Sequence, residues 1–200
     1  MSAQVEPVLV LACGALAREI QQLKLINGWE HLKINCLEAD LHNRPERIPE
    51  RVRANIRRYR PQFSQIFVAY ADCGTGGLLD RVLAEEGVER LPGAHCYATF
   101  AGQQSFAELA EAELGSFYLT DFLARHFERL VIKGMQLDKH PELMPLYFNH
   151  YKRLVYLAQT SNPELLAKAQ AAAEFLRLEF KLVPTGYGEL ATELARIAQR

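Results

Sequence analysis

The 200-residue chain has almost no excess of charge: 23 Lys and Arg stand against 24 Asp and Glu, a formal net of -1. No broad basic surface follows, so a nucleic-acid partner is not expected. No apolar run reaches the length of a bilayer crossing, and no membrane partner is expected either. The N-terminus has neither the basic stretch nor the long apolar core of a signal peptide, which makes the cytoplasm the expected location. There the four cysteines are expected as reduced thiols or metal ligands rather than disulfides. No two of them stand in the CxxC spacing of a zinc finger, so any metal reading must rest on position rather than on a local motif.

What is present is an ordinary globular composition, 49% hydrophobic and 24% charged, with ample material for a core. Residues 1–7 read as a short polar lead-in. The stretch Ile66-Phe67-Val68-Ala69-Tyr70-Ala71-Asp72-Cys73-Gly74-Thr75-Gly76-Gly77 runs from apolar strand into glycine-rich turn. Leu78, Leu79, Val82 and Leu83 then follow at helical spacing. Val8-Leu9-Val10-Leu11-Ala12-Cys13-Gly14-Ala15-Leu16 repeats the design. Further strands are expected at 32–37, 87–91, 153–158 and 180–183, with helices between them. The alternation predicts an α/β fold: a three-layer sandwich with a mainly parallel, doubly wound sheet. The reading is of a single α/β domain over 1–200 with a helical insertion at about 100–151. That insertion is long enough to form a lid bringing Glu113, Asp121 or His140 to the cysteines. If strands two and three flank strand one, Cys13 and Cys73 become neighbours at the switch point, the edge where open sheets bind ligands. The arginine run 47–60 reads as a solvated helix face balanced by Glu46 and Glu50.

Three thiols, Cys13, Cys73 and Cys96, fall in three separate turns that can converge at one sheet edge. Together they would suit a zinc ion with an open fourth position or an iron–sulfur cluster with one non-cysteine site. Three buried, inert thiols would give the same spacing, and Cys36, inside a strand, is read as one. A metal-free alternative makes Cys73 a nucleophile with His95 as base. Asp72 is a candidate ligand or base, or a cap for its own turn. Consecutive amides at Gly74, Thr75, Gly76 and Gly77 could cradle an anion of a cofactor or small-molecule substrate, although the turn is neither GxGxxG nor GxxxxGK[ST]. Tyr187, between two glycines at the same predicted edge, could touch a ligand.

At these residues the chain resembles a bacterial and archaeal family of unknown function. The resemblance rests on Leu11-Ala12-Cys13-Gly14-Ala15-Leu16, Asp72-Cys73-Gly74-Thr75-Gly76-Gly77, Gly93-Ala94-His95-Cys96-Tyr97, Leu137-Asp138-Lys139-His140-Pro141-Glu142-Leu143 and Thr185-Gly186-Tyr187-Gly188. Members of that family are similar to proteins encoded beside corrinoid-dependent methyltransferases. The resemblance therefore implies a role in methyl or one-carbon metabolism, with a corrinoid reached through a methyl-transfer partner. It includes Cys13, Cys73 and Cys96 in its motifs and leaves Cys36 outside them. A non-catalytic protein that presents this edge to a corrinoid or a partner is the remaining alternative.

Overall fold

The computed structural model describes residues 6–200, so most of the polar lead-in lies outside the described residues. The chain divides into two compact units: one holds the chain up to Thr99 together with Tyr187–Arg200, the other Phe100–Gly186. Each is an α/β unit built on its own parallel sheet.

In the first unit β1 (Val8–Cys13) is buried at all six positions, as a central parallel strand covered on both faces must be. After α1 (Ala17–Asn27), closed by Gly28 in the left-handed region, β2 (Leu32–Leu37) pairs with β1, Cys13 opposite Leu37. The helix α2 (Ile48–Tyr59) buries Ile48, Val52 and Ile56 at a spacing of four and turns its arginines outward. There Arg53 pairs with Glu50 and Glu85, Arg57 with Glu86, and Arg51 with Glu38, so glutamates beyond the two expected ones balance the run. The strand β3 (Gln65–Ala69) returns to the other side of β1, Ala69 opposite Ala12. Then come α3 (Leu78–Glu86) and the two-residue β4 (Glu89–Arg90), giving the order β2-β1-β3-β4. The direction of winding reverses at β1. Right-handed crossovers then place α1 and α2 on opposite faces and put the switch point between the carboxyl ends of β1 and β3. The helix α4 (Cys96–Ala101) begins at a cysteine, and the first stretch of this unit ends within it at Thr99.

The second unit differs from the expected helical insertion. After α5 (Gln103–Ala112) the chain makes a strand, β5 (Ser116–Leu119), and only then α6 (Asp121–Phe127), capped by the Thr120 hydroxyl. The short α7 (Met144–Phe148) leads to β6 (Arg153–Ala158). The helix α8 (Pro163–Leu176) follows, with Asn162 accepting from the Glu164 and Leu165 amides, and then β7 (Glu179–Pro184). These three strands form a separate parallel sheet, β5-β6-β7, so the strands do not build one continuous sheet. The reason is a partner the periodicity did not supply: β5 pairs with β6, Leu119 opposite Tyr156. Its core gathers Leu119, Phe127, Phe148, Leu154, Tyr156 and Leu165.

The last helix, α9 (Gly188–Ala198), belongs to the first unit. It buries Leu190, Leu194 and Ile197, and the Ala198 carbonyl meets His31 Nε2 at 3.0 Å. Among the described residues no helix is long and apolar enough to cross a membrane.

Candidate functional site

Cys13 is the last residue of β1 and 3% exposed; its Sγ accepts from the Ala15 amide at 3.3 Å. The chain leaves through Gly14, where a Cβ would stand 2.8 Å from the Leu37 carbonyl oxygen, so only glycine fits between the two strand ends. On the neighbouring strand, Tyr70 and Ala71 extend β3 as fully buried residues before Asp72 and Cys73 turn out of the sheet. The Asp72 amide donates to the Gly93 carbonyl at 3.0 Å and the Cys73 amide to that of Ala94 at 2.8 Å. The loop carrying Cys96 is thus stitched by backbone to the turn carrying Cys73. Arg90 reinforces it: Nη1 donates to the Leu91 and Gly93 carbonyls while Nε and Nη2 hold Asp80 at the start of α3.

Asp72 organises its own turn. Its Oδ1 accepts from the Thr75 hydroxyl at 2.6 Å and the Gly77 amide at 2.9 Å, and its Oδ2 from the Gly76 amide at 3.0 Å. Partial burial pushes the carboxyl up, but the Thr75 hydroxyl and the two amides outweigh it and hold Asp72 below the ordinary carboxylate range. The amides of Gly76 and Gly77, expected to cradle an outside anion, are occupied by this carboxylate, and Thr75 is buried with them. Cys73 itself sits at φ 51°, the left-handed region, where a side chain is costly. Among the described residues the other two non-glycine residues at positive φ, Gln136 and Arg177, follow helical segments. Cys73 does not.

Cys13 and Cys96 both feel the charge of Cys73, and Cys96 also that of Cys13. Burial pushes Cys13 up to about 12, against the Ala15 amide, and a negative charge on Cys73 raises it further. Burial pushes Cys73 up to about 11, partly offset by the Ala71 and Cys96 backbone. Cys96 is partly exposed. Burial, then Cys73, then Cys13 hold its pKa well above the ordinary thiol value. All three are therefore protonated near neutrality. Among the described residues no group of three or more His, Cys, Asp or Glu side chains stands arranged to hold a metal ion. Cys36, expected in the core, is exposed on the edge strand β2.

Two residues to which the sequence assigned no role join the site. His42, on the 3-10 turn Ala39–Asn43 after β2, has Nδ1 3.7 Å and Nε2 3.9 Å from Cys13 Sγ. Its imidazole stacks on the Tyr70 ring, centroids 6.2 Å apart and planes 14° off parallel. Burial holds its pKa below the ordinary imidazole value, against the Ala39 carbonyl. The Tyr70 hydroxyl, fully buried, faces the Cys13 sulfur in a contact that falls short of hydrogen-bond geometry, and has no other partner among the described residues. His42 carries no motif, and Tyr70 belongs to the strand-to-turn stretch without a role assigned to it there; the tertiary stacking marks both. His95, the expected base, is exposed, its ring tilted beside Tyr97 at 6.4 Å and joined to no thiol by a hydrogen bond. Tyr187 is half-buried at the start of α9.

The second unit has a polar centre of its own, also at the carboxyl edge of its sheet. Asp121, 1% exposed, accepts from the Tyr156 hydroxyl at 2.7 Å, the Gln159 amide at 3.0 Å and the Thr160 hydroxyl at 2.5 Å. A cavity of about 340 Å³ opens beside it, lined by Tyr156, Ala158, Thr160, Leu166, Leu182 and Pro184. Glu113 and His140 are engaged within this unit as well, with Lys152 and Glu142.

No curated protein matches the chain. Among solved structures, ornithine carbamoyltransferase from Pyrococcus furiosus aligns at 12% identity with a TM-score of 0.30, over 89% of this chain and 54% of that one. The chain thus spans about half the length of that enzyme, and so loose a likeness says nothing about activity. A family model matches residues 36–194, which hold Cys73 and Cys96 and leave Cys13 upstream. By that match the chain belongs to the family described as "Protein of unknown function (DUF1638)".

Proposed function

We propose that the carboxyl edge of the first sheet binds a soft metal, zinc or the iron of an iron–sulfur cluster, through the thiolates of Cys13, Cys73 and Cys96. The site would serve methyl or one-carbon transfer, the setting implied by the sequence resemblance. Its partner would be a small thiol substrate or a corrinoid-bearing methyl-transfer protein. One observation carries this reading: on three separate stretches, a charge on Cys73 raises the pKa of both Cys13 and Cys96, and a charge on Cys13 raises that of Cys96. Their deprotonation in this pocket needs a cation, and metal binding supplies one while releasing the protons. The side chains do not converge as they stand, so binding would require them to move. Zinc held by three thiolates polarises a thiol that enters its fourth position and makes it a nucleophile toward a methyl donor.

The metal-free reading, Cys73 as nucleophile with His95 as base, has less support. A reactive cysteine needs a depressed pKa or an adjacent base. Cys73 lies at about 11, and His95 makes no hydrogen bond to it. The test is metal analysis and absorption spectroscopy of anaerobically purified protein. Zinc or iron is expected at a near-stoichiometric level, lowered by Cys13→Ser, Cys73→Ser and Cys96→Ser and retained in Cys36→Ser. Protein that neither carries nor takes up zinc, cobalt or iron under reducing conditions overturns the site.

A further inference from the structure

The cavity of the second unit owes its position to strand register. The strands β6 and β7 pair with Leu154 opposite Phe180, Tyr156 opposite Leu182 and Ala158 opposite Pro184. Alternate residues of a strand share a face, so these six side chains form one double row. Leu154, Tyr156, Ala158 and Phe180 pack in the core with the residues that α8 buries. Leu182, in the same row, is 42% exposed. The cover therefore stops short at the carboxyl end of the row. There the cavity of about 340 Å³ opens, between Leu182 and Pro184 on the sheet and Asn162, Pro163 and Leu166 at the start of α8. Open α/β sheets hold ligands outside the carboxyl ends of their strands, and ligand sites run from about 300 to 1,000 Å³, so this one suits a small molecule.

The polar groups that line it have fixed hydrogen-bond directions. The Tyr156 hydroxyl donates to Asp121 Oδ1 at 2.7 Å and the Thr160 hydroxyl to Oδ2 at 2.5 Å. With their protons committed to the carboxylate, both hydroxyls have only lone pairs left for a ligand. Asn162 is the converse. Its Oδ1 accepts from the Glu164 and Leu165 amides, which leaves its NH2 as a donor. Gln159 is engaged at both ends, its Oε1 by the Asp121 amide and its Nε2 by the Leu157 carbonyl. An anion finds no helix amide here. Pro163 has no N–H, and the amides of Glu164, Leu165 and Leu166 all go to Asn162, so α8 is closed by its own cap. A cation fares no better. Asp121 is 1% exposed with both oxygens occupied, and among the described residues no charged side chain lines the cavity.

We infer that this cavity binds a small, uncharged, mainly apolar molecule whose head both donates and accepts a hydrogen bond: an alcohol or a primary amide on a hydrocarbon body. The hydrocarbon lies against Tyr156, Leu166, Leu182 and Pro184. The head donates to the Thr160 hydroxyl oxygen and accepts from the Asn162 NH2. The inference does not rest on the thiol site of the first unit.

The experiment is an NMR titration of the reduced, full-length chain with hexanol, hexanamide, hexanoate and hexylammonium, which share a hydrocarbon tail and differ in head. Hexanol and hexanamide are expected to shift the resonances of Tyr156, Leu166 and Leu182. Each charged probe should bind at least tenfold more weakly, because its charge enters unpaired. Butanol, two methylenes shorter, should bind roughly tenfold more weakly than hexanol. Leu182→Trp fills the cavity from the exposed strand and should abolish binding. Leu166→Trp fills it from the facing helix, so a folding defect in one variant leaves the other to decide. Thr160→Val should weaken hexanol binding about three- to tenfold, and Thr160→Ser should preserve it. If neither uncharged probe shifts these residues, or if the filled variants bind with wild-type affinity, the cavity is no binding site. If hexanoate or hexylammonium binds as tightly as hexanol, the uncharged class is wrong.

Discussion

Cys73 can be tested for backbone strain separately from its chemistry. At φ 51° an L-residue crowds its own carbonyl, at a cost of about 1–2 kcal/mol that glycine does not bear. Glycine in turn loses about 0.5–1 kcal/mol more conformational freedom on folding than alanine. The difference favours Cys73→Gly over Cys73→Ala by about 0.5–1 kcal/mol. Both variants lack the thiol, so loss of metal or of sulfur burial does not separate them. The assay is equilibrium urea unfolding of the metal-free, reduced variants, with the Cys13 pair as control. Cys13 lies at φ -62°, where glycine has no advantage, so there alanine should be the more stable by roughly 0.5–1 kcal/mol. The opposite order at the two positions is the signature. If Cys73→Ala equals or exceeds Cys73→Gly, the turn carries no strain at this residue. If the signature holds, the chain keeps a cysteine where its backbone prefers glycine, as strained functional residues do.

Two further outcomes are expected. Asp121→Ala should destabilise the chain by about 3–5 kcal/mol in denaturant unfolding followed by far-UV circular dichroism. It strands the buried Tyr156 hydroxyl and Gln159 amide, each worth about 1–3 kcal/mol; a change under about 1 kcal/mol would refute the network's importance. The metal-free protein should lose stability as pH rises above about 9. Cys13 and Cys73 hold their protons to about 12 and about 11 when folded, against 9.0 ordinarily, so the unfolded chain releases them first. Their contribution is complete below pH 9 and fades through that window at up to about 1.4 kcal/mol per pH unit per thiol. Cys13→Ser should flatten the slope of Tm against pH, and an unchanged slope would count against the buried thiol.

The fold of the first unit is legible because its strands announce themselves. Val8-Leu9-Val10-Leu11 and Ile66-Phe67-Val68-Ala69 are uninterrupted apolar runs, as strands buried on both faces must be, and each ends at a glycine-bearing turn. The flanking of β1 by β2 and β3 follows from crossover handedness. The second sheet was hidden by a single short element. Ser116-Phe117-Tyr118-Leu119 has the aromatic content of a strand between Gly115 and the capping Thr120, but four residues set between two helical patterns read as a gap. Without β5, β6 and β7 look like continuations of the first sheet. Pairing is a property of two strands far apart in sequence, Leu119 with Tyr156, and periodicity within either says nothing about it.

The same distinction separates the parts of the candidate site. Cys13 and Cys73 could be brought together on paper because the sheet-edge rule acts on strand ends. The position of Cys96 depends on the Gly93 and Ala94 carbonyls, which accept from the Asp72 and Cys73 amides. Those are backbone bonds, open to nearly any side chain, so no residue pattern encodes them. His42 depends on a chain still further removed. Its turn must leave β2 beside β1, and its ring must find Tyr70, a residue that in sequence is only the continuation of an apolar strand. The scaffold consequence is specific. Three stretches, ending β1, following β2 and leaving β3, are anchored by strand pairing and by main-chain hydrogen bonds. A side chain at this edge can therefore be exchanged without dismantling its neighbours' positions. That is the condition under which loss of metal in a single cysteine variant reports a lost ligand rather than a lost fold.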